Sequence, residues 1–554
     1  MPFDQTQHTL ADVIDKLQAL PNISDARRRD LISAVTRTAT YLGRPPADLP
    51  TDAPALRAVL ADLHPAQLGI KAKSLMNVKA NLASALRTTR CMPRNLPTVE
   101  RSAAWDKFLD SGNAAHQVNA LSRFVSYCCS KGIEPDAVTD DVMAGFRMYI
   151  DARILGKEPD RLSKEMVQTW NGIVARNHLP LARLTTTQNP QYRCRPLTTY
   201  PSRLQVEIEA YLKRRGNVDL FSPDSPDTAL RPTSLRNTKA HLTQYFDALV
   251  NAGMDPNEIT DLATVFSASH MKQAFKAHID RTGVSLKCGT LQSMAATLVV
   301  LARDHLGVSQ THLDEMLAVK KRVSTYPKGM TPKNSQRLMK FNDWQNVVRV
   351  VSLPEVLMER AIANAKTRTA ALDAMYAVAI SILLSCPMRM ANLASLDLDR
   401  HLTTSRTGKH TIYSIRIEGT EVKNHEPIEV RLTADNSTIL HRYITLLPGK
   451  LTETKGTALF PRFSDGLPRD PANMGKSLTS LIYRETGLTM HPHLFRHFAA
   501  KIYLDTHPGQ YEVVRRLLKH KTLQTTINFY AELTSQHAFD SYSETLAKFG
   551  RRHD

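Results

Sequence analysis

Between Ala371 and Ser385 the chain is nearly all apolar, and it then runs into Cys386-Pro387-Met388-Arg389. Such a run, with no polar face, predicts a helix buried on all sides, and Pro387 ends it. The last domain is therefore expected to be a helical body around this run. An arginine placed straight after a buried helix is expensive to desolvate unless it meets an anion or a carboxylate. Runs such as Ala377-Val378-Ala379-Ile380-Ser381-Ile382-Leu383-Leu384 read as too short to span a bilayer.

A second stretch carries chemistry. His493-Leu494-Phe495-Arg496-His497 reads as the start of a helix that continues through Phe498, Ala500, Ile502 and Tyr503. On a helix, His493 and Arg496 project from one side. An arginine fork suits two phosphate oxygens far better than it suits a core. Leu517-Leu518-Lys519-His520 follows, and then Thr525-Thr526-Ile527-Asn528-Phe529-Tyr530. The set reads as a phosphate site with a nucleophile nearby. Taken singly, each residue has a plainer reading: Arg389 as a salt-bridge arginine, Lys423 as a turn lysine, Tyr530 as packing. His497 is expected to be structural, bonded to backbone or to a neighbour. Tyr503 and Tyr511 read as core or surface aromatics, and His491 as lying outside the site.

The formal net charge is +19, spread along the chain rather than held in one tail. That excess favours an anionic polymer as partner, and nucleic acid first. The six cysteines, Cys91, Cys128, Cys129, Cys194, Cys288 and Cys386, have no paired metal spacing. In so long a chain they point to a reducing compartment rather than a disulfide framework. Met1-Pro2-Phe3-Asp4 begins no apolar signal core. The length of 554 residues predicts several domains.

Residues 1–95 read as a first helical module, 98–186 as a second and 200–320 as a third. Each contains a helix, a glycine in a short turn, a proline, and an apolar residue three beyond that proline. The segments are Gly43-Arg44-Pro45-Pro46-Ala47-Asp48-Leu49, then Ile133-Glu134-Pro135-Asp136-Ala137-Val138-Thr139 after Gly132. The third is Met254-Asp255-Pro256-Asn257-Glu258-Ile259-Thr260 after Gly253. This is a weak internal repeat, either chance helix-turn similarity or a set of related DNA-gripping modules. Residues 187–204 read as a polar link. Residues 321–340 read as a basic interdomain linker, and Lys320, Lys321, Arg322, Lys328, Lys333, Arg337 and Lys340 come with no acidic residue among them. Such a linker is suited to cross a duplex backbone and add affinity without reading sequence. In the last domain, 341–554, Trp344, Val347, Val348 and Val351 begin an amphipathic helix. Thr411 to Glu418 and Pro427 to Leu432 read as two strands of a small antiparallel sheet, with Lys423 in or beside their turn.

Arg389, Lys423, His493, Arg496, His520 and Tyr530 together resemble the tyrosine recombinase, or phage integrase, family. The family's first arginine matches Arg389 in Arg389-Met390-Ala391-Asn392-Leu393, with Asn392 where glutamate is common. Its hairpin lysine matches Lys423, its His-x-x-Arg matches His493 to Arg496, and its Leu-Gly-His resembles Leu518-Lys519-His520. Its nucleophile matches Tyr530. Two departures stand out. Lys519 occupies a helix end where glycine is usual, at a cost if that position needs positive φ. Tyr530 is ten residues beyond His520, one more than the common spacing, and Phe529 in the usual place has no hydroxyl.

The resemblance implies a mainly α fold: helical N-terminal and core-binding DNA-binding domains, the latter at 200–320, then an α-rich catalytic domain with a small antiparallel β-sheet. It implies a site-specific recombinase that cleaves and rejoins double-stranded DNA, works as a tetramer on DNA and moves a mobile element or prophage. Arg389 and Arg496 would clamp the phosphate, His520 would donate a further hydrogen bond, and Lys423 would protonate the leaving 5′ oxygen. His493 would assist proton removal from Tyr530 or orient the phosphate, and Tyr530 would form a 3′-phosphotyrosine link. No cofactor and no metal is called for. Related recombinase subunits or DNA-bending proteins are conceivable partners, a membrane is not, and the expected location is cytoplasmic, with the nucleoid. The modules and linker are expected to clamp one side of a duplex and the catalytic domain the other, with the amphipathic Ala538 to Phe549 piece docking on a neighbouring subunit. The same chemistry would also serve a topoisomerase or a telomere resolvase, and a decayed site would leave a DNA-binding protein.

Overall fold

The computed structural model describes residues 8–111, 115–156, 158–185, 194–218, 221, 228–325, 329–365, 367–446, 456–462, 464–531 and 535–550. The chain divides into two compact units, one of Met1–Thr186 with Lys328–Asp554 and one of Thr187–Pro327. Among the described residues there is one sheet, of three strands, and the structure is otherwise built from helices.

In the Thr187–Pro327 unit, helices Pro232–Asn251, Ala268–Thr282, Gly289–Asp304 and Gln310–Val323 enclose Tyr245, Phe246, Met271, Leu298 and Met316. Tyr200 and Leu204 join that core, so the stretch expected to be a polar link is already folded by residue 200. Asp247 is fully buried, and Arg195 at 2.7 Å and Arg281 at 3.1 Å balance its charge. Lys320, Lys321 and Arg322 lie in the last turn of Gln310–Val323, where cations suit the helix dipole.

The first part of the other unit holds two helical clusters. Leu10–Ala19, Asp25–Leu42, Ala53–Leu60 and Ala72–Thr88 pack around Leu10, Val35, Leu56 and Leu82. Ala103–Asp110, Ala115–Ser130, Asp140–Asp151 and Pro159–Arg176 pack around Trp105, Phe124, Phe146 and Trp170. The buried Arg57 reaches Asp151 at 3.0 Å and joins the two.

The repeat seen in the sequence is a repeat of structure. Gly43, Gly132 and Gly253 have φ of 62°, 67° and 107°, a region that glycine enters without strain. After each, the next residue's amide returns to a carbonyl near the helix end: Arg44 to Ala39, Ile133 to Cys128, Met254 to Leu249. Short 3-10 turns follow at Pro46–Asp48, Pro135–Ala137 and Pro256–Glu258. Leu49, Val138 and Ile259, three beyond those prolines, are each at 0% exposure. The first of these helices ends at Gly43 rather than at Pro45-Pro46, because the left-handed glycine closes it two residues earlier.

The last part of this unit is built on Arg368–Ser385. Its side chains from Ala370 to Leu383 are buried apart from Leu372, and the frequent alanines let neighbouring helices approach. By length and composition this helix could cross a membrane, contrary to the sequence reading of its apolar core as too short. Here it is enclosed by Leu353–Ala363, Ala434–Leu446 and the cluster around Leu478, Phe495 and Phe498. Arg360 fastens the packing through Asp373 and Glu485, each at 2.9 Å. The sheet runs β1 (Leu402–Thr407), β2 (His410–Ile417) and β3 (Ile428–Arg431), antiparallel throughout, with Thr404 opposite Tyr413 and Ser414 opposite Arg431. β1 was not expected: Leu-Thr-Thr-Ser-Arg-Thr has no apolar alternation to mark it.

The expected amphipathic helix is present, with its buried face set by two of its valines. In Trp344–Val351 it is Val347 and Val350 that are buried, while Trp344, Val348 and Val351 are exposed beside an open groove. Lys333 and Arg337 sit on the helix Pro332–Met339, and Lys340 opens a 3-10 turn. Lys328 lies outside the described residues. The C-terminal helix Ser535–Gly550 exposes Phe539, Tyr542, Leu546 and Phe549.

Candidate active site

Arg389 stands at the break after the buried helix and caps the short Met390–Ala394 helix. Its Nη1 donates to Asn424 Oδ1 at 3.2 Å. Asn424 follows Lys423 in the β2–β3 turn and also donates to the Lys519 carbonyl at 3.2 Å. The turn is thus tied to both sides of the site. Lys423 is exposed on it, beside the others rather than among them.

Arg496 lies on Leu494–Thr506 and is buried. Its Nη1 donates to the Pro387 carbonyl at 2.7 Å, and its Nη2 donates to the Leu518 carbonyl. It therefore braces the segment that carries Arg389 against the one that carries His520. These two bonds use two of its five N–H groups. Among the described residues no carboxylate lies within 4 Å of either arginine. The sequence predicted that Arg389 would need an anion or a carboxylate, and only an amide meets it.

A cavity of about 180 Å³ lies beside this pair, lined by Arg389, Asn392, Asn424, Arg496 and Lys519 among others. Asn392 is buried, and its Nδ2 has no hydrogen-bond partner. Cys386 also lines it; burial raises the thiol to about 11, against the pull of Arg496 and Lys519.

Tyr530 ends the helix Leu523–Tyr530 and is 1% exposed. Its hydroxyl lies 3.0 Å from His497 Nδ1. The His520 ring lies parallel to the tyrosine ring, centroids 6.4 Å apart. His520 Nδ1 is fixed by Thr526 Oγ1 at 3.0 Å. His493 stands just before the helix, its ring edge-on to His497 at 5.1 Å. Sequence reasoning gave His497 a structural bond to a neighbour; the neighbour is the tyrosine hydroxyl itself. Its place one residue after Arg496 was the only signal, and helical spacing alone does not say which face meets Tyr530.

The electrostatics follow from cations without counter-charges. Burial, then Arg496 and Arg389, push His520 down to about 4. Burial, then the neighbouring histidines His493 and His491 and the Arg496 charge, push His497 down to about 4. Burial, then Arg496 and Arg389, also lower His493. Burial raises the Tyr530 hydroxyl, and the Arg496 charge pulls it back. Each effect names a partner from the same set, so Arg389, Arg496, His493, His520 and Tyr530 lie within one another's fields. At neutral pH the histidines here are uncharged, and the arginines hold the positive charge. His491 bonds Asn334 and accepts from the Leu494 amide rather than meeting Tyr530, but it lies close enough to help lower His497.

Lys519 has φ 52° and ψ 48°, a left-handed cap at the end of Tyr511–Leu518. The position does require positive φ, and a lysine holds it. Its side chain is exposed beside the cavity and adds a cation where the family pattern has none.

Residues 352–537 match the family described as the phage integrase family, and that span contains every residue of the cluster. The match is confined to this segment of the chain. The matched segment carries the arginine, histidine and tyrosine motifs, with Asn392 and Lys519 as departures from the family pattern. Comparison with curated proteins finds no match. Among solved structures, the XerH site-specific recombinase bound to palindromic difH substrate is 15% identical, with a TM-score of 0.31, covering 63% of this chain and 99% of its own. The Tn1549 transposon integrase in complex with circular intermediate DNA is 16% identical, with a TM-score of 0.35, covering 61% and 98%. A lambda integrase tetramer bound to a Holliday junction is 13% identical, with a TM-score of 0.31, covering 66% and 89%.

Proposed function

We propose that the chain is a site-specific recombinase that cuts and rejoins duplex DNA through a 3′-phosphotyrosine link to Tyr530. The observation that carries this is the 3.0 Å contact of the Tyr530 hydroxyl with His497, whose pKa is lowered to about 4, near two arginines with no carboxylate within 4 Å among the described residues. Arg389 and Arg496 hold the non-bridging oxygens of one phosphate, and His520 donates a further hydrogen bond. His497 takes the Tyr530 proton as the phenolic oxygen attacks phosphorus. An oxygen–phosphorus bond forms, and the bond from phosphorus to the 5′ oxygen breaks. Lys423, on the turn fixed by Asn424, gives that oxygen its proton. The link keeps the phosphodiester's energy, so another 5′ hydroxyl reseals the strand by the reverse step.

The Thr187–Pro327 unit and the cations Lys320, Lys321, Arg322, Lys333 and Arg337 are read as contacts to duplex backbone. The working state is read as a tetramer on DNA, assembled in part through the exposed face of Ser535–Gly550. The test is strand exchange. Two DNAs carrying the element's own ends should recombine, whereas relaxation of any supercoiled plasmid without exchange would favour the topoisomerase reading.

A further inference from the structure

The three turn motifs share more than a turn. Aligned on Gly43, Gly132 and Gly253, the preceding helices bury the same positions: Val35, Phe124 and Tyr245, then Ala39, Cys128 and Leu249. The outward positions can therefore be compared one by one. Arg29 stands in register with Lys239 and with Val118, which packs against the core of the second module instead. Ser33 stands in register with Ser122 and with Thr243. Arg29, Ser33 and Lys239 are exposed, and Thr243 is half-buried. A cation followed four residues later by a hydroxyl is thus common to the first and third modules and missing from the second.

The first module extends the stripe. Arg37, one further turn along, is exposed, while the corresponding Asp247 is buried between Arg195 and Arg281. Among the described residues no carboxylate lies within 4 Å of Arg29, Arg37 or Lys239, although Arg28 nearby pairs with Asp25. The composition agrees. Bases exceed acids in residues 1–95 and balance them in 98–186. Spaced cations and hydroxyls on one helix face are the donors that contact a phosphate backbone.

We propose that the first module is a second duplex-binding module. Through Arg29, Ser33 and Arg37 it grips backbone phosphates as the Thr187–Pro327 unit does through Lys239 and Thr243. The middle module, whose matching position is the core-packed Val118, does not make this contact. This rests on the DNA reading given above.

The experiment uses the full-length chain and random-sequence duplexes, one long and one short, so no target site is needed. The readout is the slope of log affinity against log salt. Each phosphate contact removed flattens that slope by about one. Arg29→Glu with Arg37→Glu should flatten the slope on the long duplex by about two and leave the short one nearly unchanged. Lys239→Glu should flatten it on both. Ser122→Glu, at the matching position of the middle module, should change neither. Circular dichroism checks that the exposed substitutions leave the fold intact. If Lys239→Glu flattens the slope and the arginine pair does not, the second module is not there and the DNA reading stands. If neither has an effect, the equivalence carries no function and the duplex reading of the Thr187–Pro327 unit falls with it.

Discussion

His497 Nδ1 stands 3.0 Å from the Tyr530 hydroxyl, and His493 makes no hydrogen bond to that hydroxyl among the described residues. The two histidines share one helix start, yet only the second reaches the nucleophile. Removing a general base typically costs about 10²–10⁴ in rate. His497→Leu should therefore slow single-turnover formation of the covalent adduct by roughly that factor. His493→Ala should weaken phosphate positioning and slow it less. If His493→Ala were the more damaging and His497→Leu nearly silent, the proton-acceptor role would return to His493.

The uncompensated arginines should make the protein sensitive to anions. Sulfate binding at the Arg389–Arg496 pair would stabilise the folded state by mass action, raising Tm beyond the effect of chloride at matched ionic strength. Arg389→Ala should abolish that difference. Arg496→Lys loses the fork that holds the Pro387 and Leu518 carbonyls. Each buried carbonyl left without a donor costs about 1–3 kcal/mol, so this variant should also unfold at lower denaturant. An unchanged midpoint would show that Arg496 does not brace the site.

Stability should fall in mild acid. His497 is buried with its pKa at about 4, against 6.5 when exposed. Its folded form therefore binds fewer protons than the unfolded chain. The linked stability is fully present above pH ~6.5, is lost as pH falls toward ~4, and changes no further below that; it amounts to roughly 3 kcal/mol. His520 acts in the same direction. Denaturant titrations of His497→Phe should show a flatter profile across this window, and an equal slope would contradict the burial argument.

Lys519 should trade stability for binding. A non-glycine residue in the left-handed region costs about 1–2 kcal/mol, of which glycine's greater unfolded entropy takes back part. Lys519→Gly should stabilise the chain by up to about 1 kcal/mol. It should also flatten the salt dependence of DNA binding, because a cation beside the phosphate cavity is gone. A variant that is no more stable would mean that the cap relaxes when glycine replaces the lysine.

The exposed face of Ser535–Gly550 is expected to join subunits on DNA. Phe539→Ser with Leu546→Ser should leave binding to a single half-site intact and reduce the cooperativity of assembly. Gel-shift titration against half-site and full-site duplexes reads both, and unchanged cooperativity would leave that helix without a partner.

Much of this was legible because composition and spacing forced it. The all-apolar run before Pro387 could only be buried, whereas the anion or carboxylate expected for the arginine after it is replaced in the structure by the Asn424 amide. The repeat was visible because glycine, proline and one apolar residue each hold a fixed place in the turn. What the sequence hid depends on which way a side chain points. Nothing in His493-Leu494-Phe495-Arg496-His497 says that the last residue rather than the first meets Tyr530. Trp344, Val348 and Val351 look like a core stripe, but their helix buries Val347 and Val350 instead. β1 escaped because its threonines and arginine carry no alternation, and its place is set by pairing with β2.

The central claim is that Tyr530 is the nucleophile of this site. It is tested most directly by trapping the protein on a nicked suicide duplex carrying the element's ends, digesting the adduct and locating the linked residue by mass spectrometry. The account predicts one DNA-bearing peptide, modified at Tyr530 through a 3′ phosphate and absent in Tyr530→Phe. A covalent link at another tyrosine, or one that survives in Tyr530→Phe, would contradict it.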